Sequence, residues 1–354
     1  MIKISDFDYA LPKELIAAYP PKDRTSARLL AVKKHTGQCS HHQFQDIGRF
    51  LRSGDLLVLN NTKVLPARLF GRKRTGGGVE ALLLKQDEGN RWEALVRPSK
   101  RVKKGCSIVF SNNGTELKAQ VLDERRANSG QRLIEFEGET VREKLWKIGH
   151  IPLPPYLDRE DSEIDREMYQ TVFAEKEGAV ASPTAGLHFD EVLLQQLKDQ
   201  GVEIAFVTLH VSYGTFQPIS IEDPTRHQME EETYEVSEDA AYRINRALKE
   251  NRRVIACGTT MVRTLESVVN SEGEVQVGRG RTRLFIYPPY EFKIVKGLIT
   301  NFHLPKSSLL LLVSSFFEES RPNCPEKLLG VYREAICQAY RFYSYGDAMI
   351  ILED

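Results

Sequence analysis

Ala181-Ser-Pro-Thr-Ala-Gly-Leu-His-Phe-Asp190 puts small and polar residues in a short loop directly ahead of a run in which Leu193, Leu194 and Leu197 recur at helical spacing. Asp190 is the expected N-cap, Gly201 ends the run, and Gly186 allows backbone angles closed to other residues. Thr184, Gly186 and His188 therefore stand at a helix N-terminus. Exposed N–H groups there favour a carboxylate or phosphate, beside an imidazole that titrates near neutrality. A tight connection holding a satisfied histidine has the same local pattern, so the rest of the chain decides between the two readings.

Strand, polar loop and helix recur beyond this point. The apolar run at 202–209 ends at His210, and residues 237–250 have helical spacing. Residues 254–257 read as a short buried strand that turns at once into Gly258-Thr-Thr-Met-Val-Arg-Thr-Leu-Glu-Ser267. Residues 283–287 read as one arm of a hairpin through Gly278 and Gly280. Gly297-Leu-Ile-Thr-Asn-Phe-His-Leu-Pro305 repeats the arrangement, with Ser307 or Ser308 capping the next helix. Upstream, residues 1–62 read as helix, extended segment and then the strand 55–60, closed by Asn60-Asn-Thr62. The fold class is thus α/β, and in such folds the site gathers at the carboxyl ends of the strands. His210, Gly258, Thr259, Thr260, Asn301 and His303 all fall there.

Between residues 63 and 148 the texture changes to short period-2 runs at 79–84, 92–96, 107–110, 117–122 and 132–136, separated by turn residues. This is the signature of a small antiparallel β-barrel or sandwich inserted into the larger architecture. The expected division is 1–62 with 149–354 as a discontinuous α/β unit, and 63–148 as the insertion. Gly149-His-Ile-Pro-Leu-Pro-Pro-Tyr156 is the return linker. The whole chain of 354 residues is neutral, with 49 Lys/Arg and 49 Asp/Glu. Residues 63–104 nevertheless carry twelve Lys/Arg against four Asp/Glu, a balance of +8, so the remainder carries −8. Arg68, Arg72, Arg97, Lys100 and Arg101 belong to this excess, which suits a nucleic-acid backbone.

Several classes are excluded or left without support. Gly77 and Gly78 stand where a P-loop needs Lys and Ser/Thr, and no GxSxG, GxGxxG or HExxH occurs. His188, His210 and His303 could in principle form a zinc triad, but no ligand spacing supports one. The five cysteines are odd in number and form no CxxC pair, which fits a reducing compartment. The first residues have no apolar run of signal-peptide length, and the most apolar run, 309–317, is far short of a bilayer span. A soluble, monomeric, cytoplasmic protein is expected. The metal-free chemistry open to these residues is proton transfer by an imidazole, with Thr, Asn and Arg fixing a polar small molecule.

Five blocks occur together and in order: SPTAGLHFD at 182–190, LHV with GTFQP at 209–218, GTTMVRTLES at 258–267, TNFHLPKS at 300–307 and YRFYSYGDAM at 340–349. With Asp6-Phe-Asp-Tyr9 and Asn60-Asn-Thr-Lys-Val-Leu-Pro-Ala-Arg-Leu-Phe-Gly71, they strongly resemble the S-adenosylmethionine:tRNA ribosyltransferase-isomerases of queuosine biosynthesis. The resemblance covers essentially the whole chain. It implies a large α/β-barrel-like domain with an inserted β-barrel. It also implies transfer of a ribose-derived unit from S-adenosylmethionine to 7-aminomethyl-7-deazaguanine in a tRNA anticodon, with adenine and methionine leaving. S-adenosylmethionine would be a substrate, with no further cofactor and no metal. A non-catalytic tRNA-binding protein or a zinc hydrolase is the competing class. On this reading Gly258, Thr259, Thr260 and Arg263 hold the methionine carboxylate, Asn301 and Tyr345 serve the ribose or adenine, and Asp347 is a further substrate-binding residue. His188 is the preferred general base, His210 the runner-up, and His303 orders its loop. Glu230 stands where many members have a second histidine after the methionine.

Overall fold

A nine-stranded mixed sheet carries the larger unit of the computed structural model, which describes residues 2–125, 130–216, 218–317 and 325–353. In spatial order its strands are Gly278–Thr282, Glu232–Val236, Glu203–Leu209, Leu56–Asn60, Val254–Cys257, Val295–Asn301, Ala348–Leu352, Arg28–Lys33 and Cys39–Gln43. The four central strands from Glu203–Leu209 to Val295–Asn301 run parallel, and antiparallel partners flank them on both sides. The two innermost strands, Leu56–Asn60 and Val254–Cys257, are buried on both faces, so they read as nearly continuous apolar runs. Successive residues serve opposite cores: Leu56 and Val58 pack with one cluster, Leu57 and Leu59 with the other. The first cluster takes the helices Glu238–Lys249, Thr259–Val268, Ser308–Phe317 and Pro325–Cys337; the second takes Glu191–Asp199. The layer expected to be barrel-like is therefore a sheet with two ends, covered by helices on both faces.

Local signals set the boundaries. Asp190 Oδ1 accepts the Leu193 N–H at 2.7 Å, and Ser237 caps Glu238–Lys249 in the same way. Ser307, not Ser308, caps Ser308–Phe317, its Oγ accepting from Leu310 N at 3.2 Å. Two expectations need correction. Residues 283–287 form no strand: the strand is Gly278–Thr282, paired antiparallel with Glu232–Val236. The apolar side chains of 284–287 instead anchor an extended segment onto the core. Residues 2–27 hold short 3-10 turns where a helix was expected, and the strands Arg28–Lys33 and Cys39–Gln43 follow. On the latter strand His41 and His42 point apart, His41 to Tyr340 and His42 to Ser40.

The inserted segment closes six antiparallel strands into a barrel: Arg68–Lys73, Gly78–Gln86, Arg91–Arg97, Ser107–Asn112, Thr115–Asp123 and Gln131–Phe136. Alternate residues such as Val79, Ala81, Ile108, Phe110, Leu117, Ala119 and Val121 fill its interior, and Val141, Leu145 and Ile148 of the helix Val141–Ile148 pack with them. The entry and return segments touch at Pro66 and Gly149. A Cβ on Gly149 would stand 2.0 Å from the Pro66 carbonyl oxygen, so no side chain fits at this crossing.

Candidate active site

The carboxyl ends of the parallel strands open onto a cleft of about 600 Å³, the solvent at its mouth included. Its walls come from four parts of the chain: Ser182–Ala185 of the organising loop, Gly258-Thr-Thr260, Thr300–Leu304, and Tyr343 with Ser344. Tyr156 of the return linker, Val211, Ser307 and Leu309 complete it. Gly258 has φ +92°, which lets the strand Val254–Cys257 pass into the helix Thr259–Val268 within one residue and puts the helix N-terminus at the cleft. Tyr343 has φ +72°, a region bulky residues avoid, and such strain tends to collect at functional sites.

Asn301 is the junction between the loop and the strand end. Its Oδ1 accepts from Thr184 Oγ1 at 2.8 Å, and its Nδ2 donates to His188 Nε2 at 3.2 Å and to the Asp347 carbonyl at 3.4 Å. His188 thus stands behind Asn301, against the Phe44 ring, and lines a small cavity with Arg24, Leu187 and Tyr345. Burial, then the nearby Arg341 and Arg24 charges, push its pKa down to about 3. His303 lines the main cleft, with Nε2 2.9 Å from Thr300 Oγ1, and burial likewise lowers it to about 3. Both imidazoles are neutral at pH 7. His210 lies elsewhere, in a cavity with Lys176, Tyr234 and Arg281, its Nδ1 2.8 Å from Thr62 Oγ1. Burial lowers its pKa, opposed by Glu235. The three histidines occupy three separate environments, and no cluster of His, Cys, Asp or Glu able to hold a metal occurs among the described residues.

The remaining expected site residues divide in the same way. Gly258, Thr259, Thr260, Thr184 and Asn301 meet in the cleft. Arg263 is buried and ion-paired with Glu232. Tyr345 donates to Asp165 Oδ1 at 2.6 Å, and Asp347 accepts from the Arg28 and Arg341 backbone N–H groups. Gly186 lies in a 3-10 turn with no unusual φ. Its small size is what matters, because a Cβ would meet Thr171 and Phe173 at 2.9 and 3.0 Å. Asn60 joins two strand ends, bonding the Leu209 N–H and C=O and the Thr62 N–H. Glu230 accepts from Gly214 N at 3.1 Å. Gln217, in the GTFQP block, and Cys324 lie outside the described residues. Ser182, Tyr156, Tyr343 and Ser344 were not singled out in the sequence, although three of them fall inside the quoted blocks and Tyr156 inside the linker.

A second, larger groove runs where the barrel meets the return linker. Arg68, Arg97, Glu80, Pro154, Arg159 and Tyr213 are among its walls, around some 1530 Å³ of open space. Arg68 pairs with Glu80 at 3.2 Å, whereas Arg72, Arg97, Lys100 and Arg101 make no ion pair among the described residues. Lys100 and Arg101 sit on a loop held from below by Arg132, which is 4% exposed. Its guanidinium donates to the carbonyls of Val102, Ser99 and Gln131 at 2.7, 2.8 and 2.9 Å.

A helix-covered α/β sheet with a cleft at its strand ends, carrying an inserted β-barrel with a cationic loop, defines the architectural class of this protein. Comparison with known proteins narrows the class. The family model described as queuosine biosynthesis protein matches residues 4–351. The S-adenosylmethionine:tRNA ribosyltransferase-isomerase of Clostridioides difficile is 47% identical over 352 residues, covering 99% of this chain and all of the relative. The enzyme of the same name from Symbiobacterium thermophilum is 48% identical over 356 residues, with the same coverage. The crystal structure of S-adenosylmethionine tRNA ribosyltransferase from Thermotoga maritima is 35% identical, covers 98% of this chain, and superposes with a TM-score of 0.55. The chain belongs to the S-adenosylmethionine:tRNA ribosyltransferase-isomerase family of queuosine biosynthesis. No helix among the described residues is long and apolar enough to cross a membrane.

Proposed function

We propose that this chain transfers and isomerises the ribosyl unit of S-adenosylmethionine onto 7-aminomethyl-7-deazaguanine in a tRNA anticodon, leaving epoxyqueuosine and releasing adenine and methionine. The observation that carries this reading is the cleft at the strand ends. It joins a helix N-terminus, suited to the methionine carboxylate, to the polar Asn301 and His303 and the aromatic rings of Tyr156 and Tyr343. The cationic loop 97–104 is the tRNA contact. S-adenosylmethionine is consumed as substrate, no further cofactor takes part, and the reaction belongs to the cytoplasm, where tRNA and this sulfonium meet.

The chemistry begins with loss of a proton from the 5′ carbon beside the sulfonium, whose charge stabilises the ylide. Adenine is expelled, the tRNA amine adds, and closure of the epoxide drives out methionine. A neutral imidazole can accept the first proton, although the burial that lowers His188 and His303 to about 3 makes each a weaker base than a free imidazole. Its position on the cleft wall favours His303 for this role, and the Nε2 contact to Asn301 favours His188 as the group that orients the Asn301 amide. The test is exchange of the 5′ hydrogens of S-adenosylmethionine, followed with release of adenine. His303→Asn should abolish exchange, while His188→Asn should slow it with a change in apparent substrate affinity. Exchange at the wild-type rate in His303→Asn, with loss in His188→Asn or His210→Asn, would move the base to that residue.

A further inference from the structure

Several hydroxyls on the cleft wall are paired, and two buried ones are not. Thr184 Oγ1 donates to Asn301, Thr300 Oγ1 meets His303, Ser307 Oγ donates to the Leu304 carbonyl at 2.7 Å, and Ser344 Oγ pairs with Tyr156. Ser182 Oγ and Thr260 Oγ1 make no hydrogen bond, although their residues are only 2% and 6% exposed. A buried hydroxyl left unpaired costs stability and calls for an explanation. Both line the cleft where the ten-residue helix Thr259–Val268 begins without a side-chain cap. The first N–H groups of such a helix have no intrahelical acceptor and carry the positive end of its dipole.

The deficit at this point is one of acceptors, shared by two O–H groups and a helix end. No Lys, Arg, Asp or Glu is among the residues lining the cleft, so an anion here is held by neutral donors alone. That suits a singly charged carboxylate better than a phosphate dianion, which is commonly met by Arg or Lys. Arg263, the expected counter-charge, is paired with Glu232 and does not line the cleft. The strands Val254–Cys257 and Val295–Asn301 are direct neighbours. Their carboxyl ends open side by side, so the start of the helix and Asn301 with His303 line the same cleft.

We propose that Ser182 Oγ, Thr260 Oγ1 and the N-terminus of the helix Thr259–Val268 form the carboxylate subsite for the methionyl end of S-adenosylmethionine. The sulfonium then faces Asn301 and His303. This rests on the assignment of S-adenosylmethionine to the cleft and adds the residues that fix its direction.

The experiment compares binding of S-adenosylmethionine and of its decarboxylated analogue by titration calorimetry, for wild type, Ser182→Ala and Thr260→Val, with melting temperatures measured on the free proteins. Each variant should weaken S-adenosylmethionine about tenfold or more, the loss typical of a hydrogen bond to a charged group. Affinity for the decarboxylated analogue should stay the same. The free variants should melt at or above the wild-type temperature, because an unpaired buried hydroxyl has been removed, an effect that a purely structural role could not combine with lost binding. Undiminished binding of S-adenosylmethionine, or equal loss for both ligands, overturns the subsite while wild-type binding keeps the functional reading. A wild-type protein that binds neither ligand overturns both.

Discussion

Replacing Arg132 with leucine should unfasten the cationic loop and destabilise the barrel together. The guanidinium is almost fully buried and donates to three backbone carbonyls between 2.7 and 2.9 Å, with Glu124 at 3.2 Å. Hydrogen bonds from a charged donor contribute about 1.5–3 kcal/mol each. They do not add here, since the half-buried Gln131 carbonyl can turn to water and Glu124 is largely exposed. A net loss of about 3 kcal/mol follows, centred on the Ser99 and Val102 carbonyls. Trp92 lies in the barrel core and Trp146, the other tryptophan of the chain, packs partly buried against it, so intrinsic fluorescence weights unfolding of this unit most heavily. With a urea m value of about 1–1.5 kcal/mol/M for so small a unit, the midpoint should fall by roughly 2–3 M. Arg132→Lys should lie between, keeping charge but losing the planar fork. Affinity for tRNA should drop in parallel, because Lys100 and Arg101 ride on the loosened loop. A midpoint within about 0.3 M of wild type, with unaltered tRNA affinity, would refute this account of the loop.

Three further outcomes follow from the same structure. Changing Arg97, Lys100 and Arg101 to glutamine should reduce the slope of log affinity for tRNA against log salt by about 2, at roughly 0.7 per lost phosphate contact on single strands; an unchanged slope would make the patch a solvated surface. Gly149→Ala should lower barrel stability by about 1–3 kcal/mol, as in other overpacked sites, because the new Cβ collides with the Pro66 carbonyl; unaltered fluorescence unfolding would show that the crossing gives way freely. Burial works to raise the pKa of Asp165, but hydrogen bonds from Arg159, Tyr345 and Ser162 outweigh it and hold the pKa at about 2, below the ordinary 3.8. A depressed carboxylate stabilises the fold above the unfolded pKa and loses that contribution as the pH falls. Melting temperature should therefore drop between about pH 4 and pH 2 more steeply in wild type than in Asp165→Asn, and parallel pH profiles would remove Asp165 from the account.

How far the sequence could be read depended on where each residue found its partners. Period-2 runs such as 117–122 could be read because one face of each strand fills the barrel. The first barrel strand, Arg68–Lys73, was hidden by its cations and by Gly71, whose bare Cα lies against the backbone of the neighbouring strand, where a Cβ would meet the Val109 carbonyl at 2.5 Å. Leu29-Leu-Ala-Val32 is an apolar run too short to separate strand from helix by periodicity. In the site, strand-end polarity pointed to Gly258, Thr259, Thr260, Asn301 and His303, and these residues line one cleft. What local spacing could not carry was the direction of each side chain. His188, two residues beyond Gly186, turns behind Asn301, and Arg263 meets a glutamate 31 positions away. The unpaired hydroxyls of Ser182 and Thr260 are visible only once burial and every neighbouring donor are known.

The most direct test of the activity is to supply S-adenosylmethionine labelled in the ribose, with tRNA bearing 7-aminomethyl-7-deazaguanine, and to count label in the digested tRNA against adenine and methionine released. The reaction proposed here requires the three quantities to rise together in equal amounts, with the label in a single anticodon nucleoside. Bound tRNA that gains no label, or adenine released without transfer to tRNA, would contradict it.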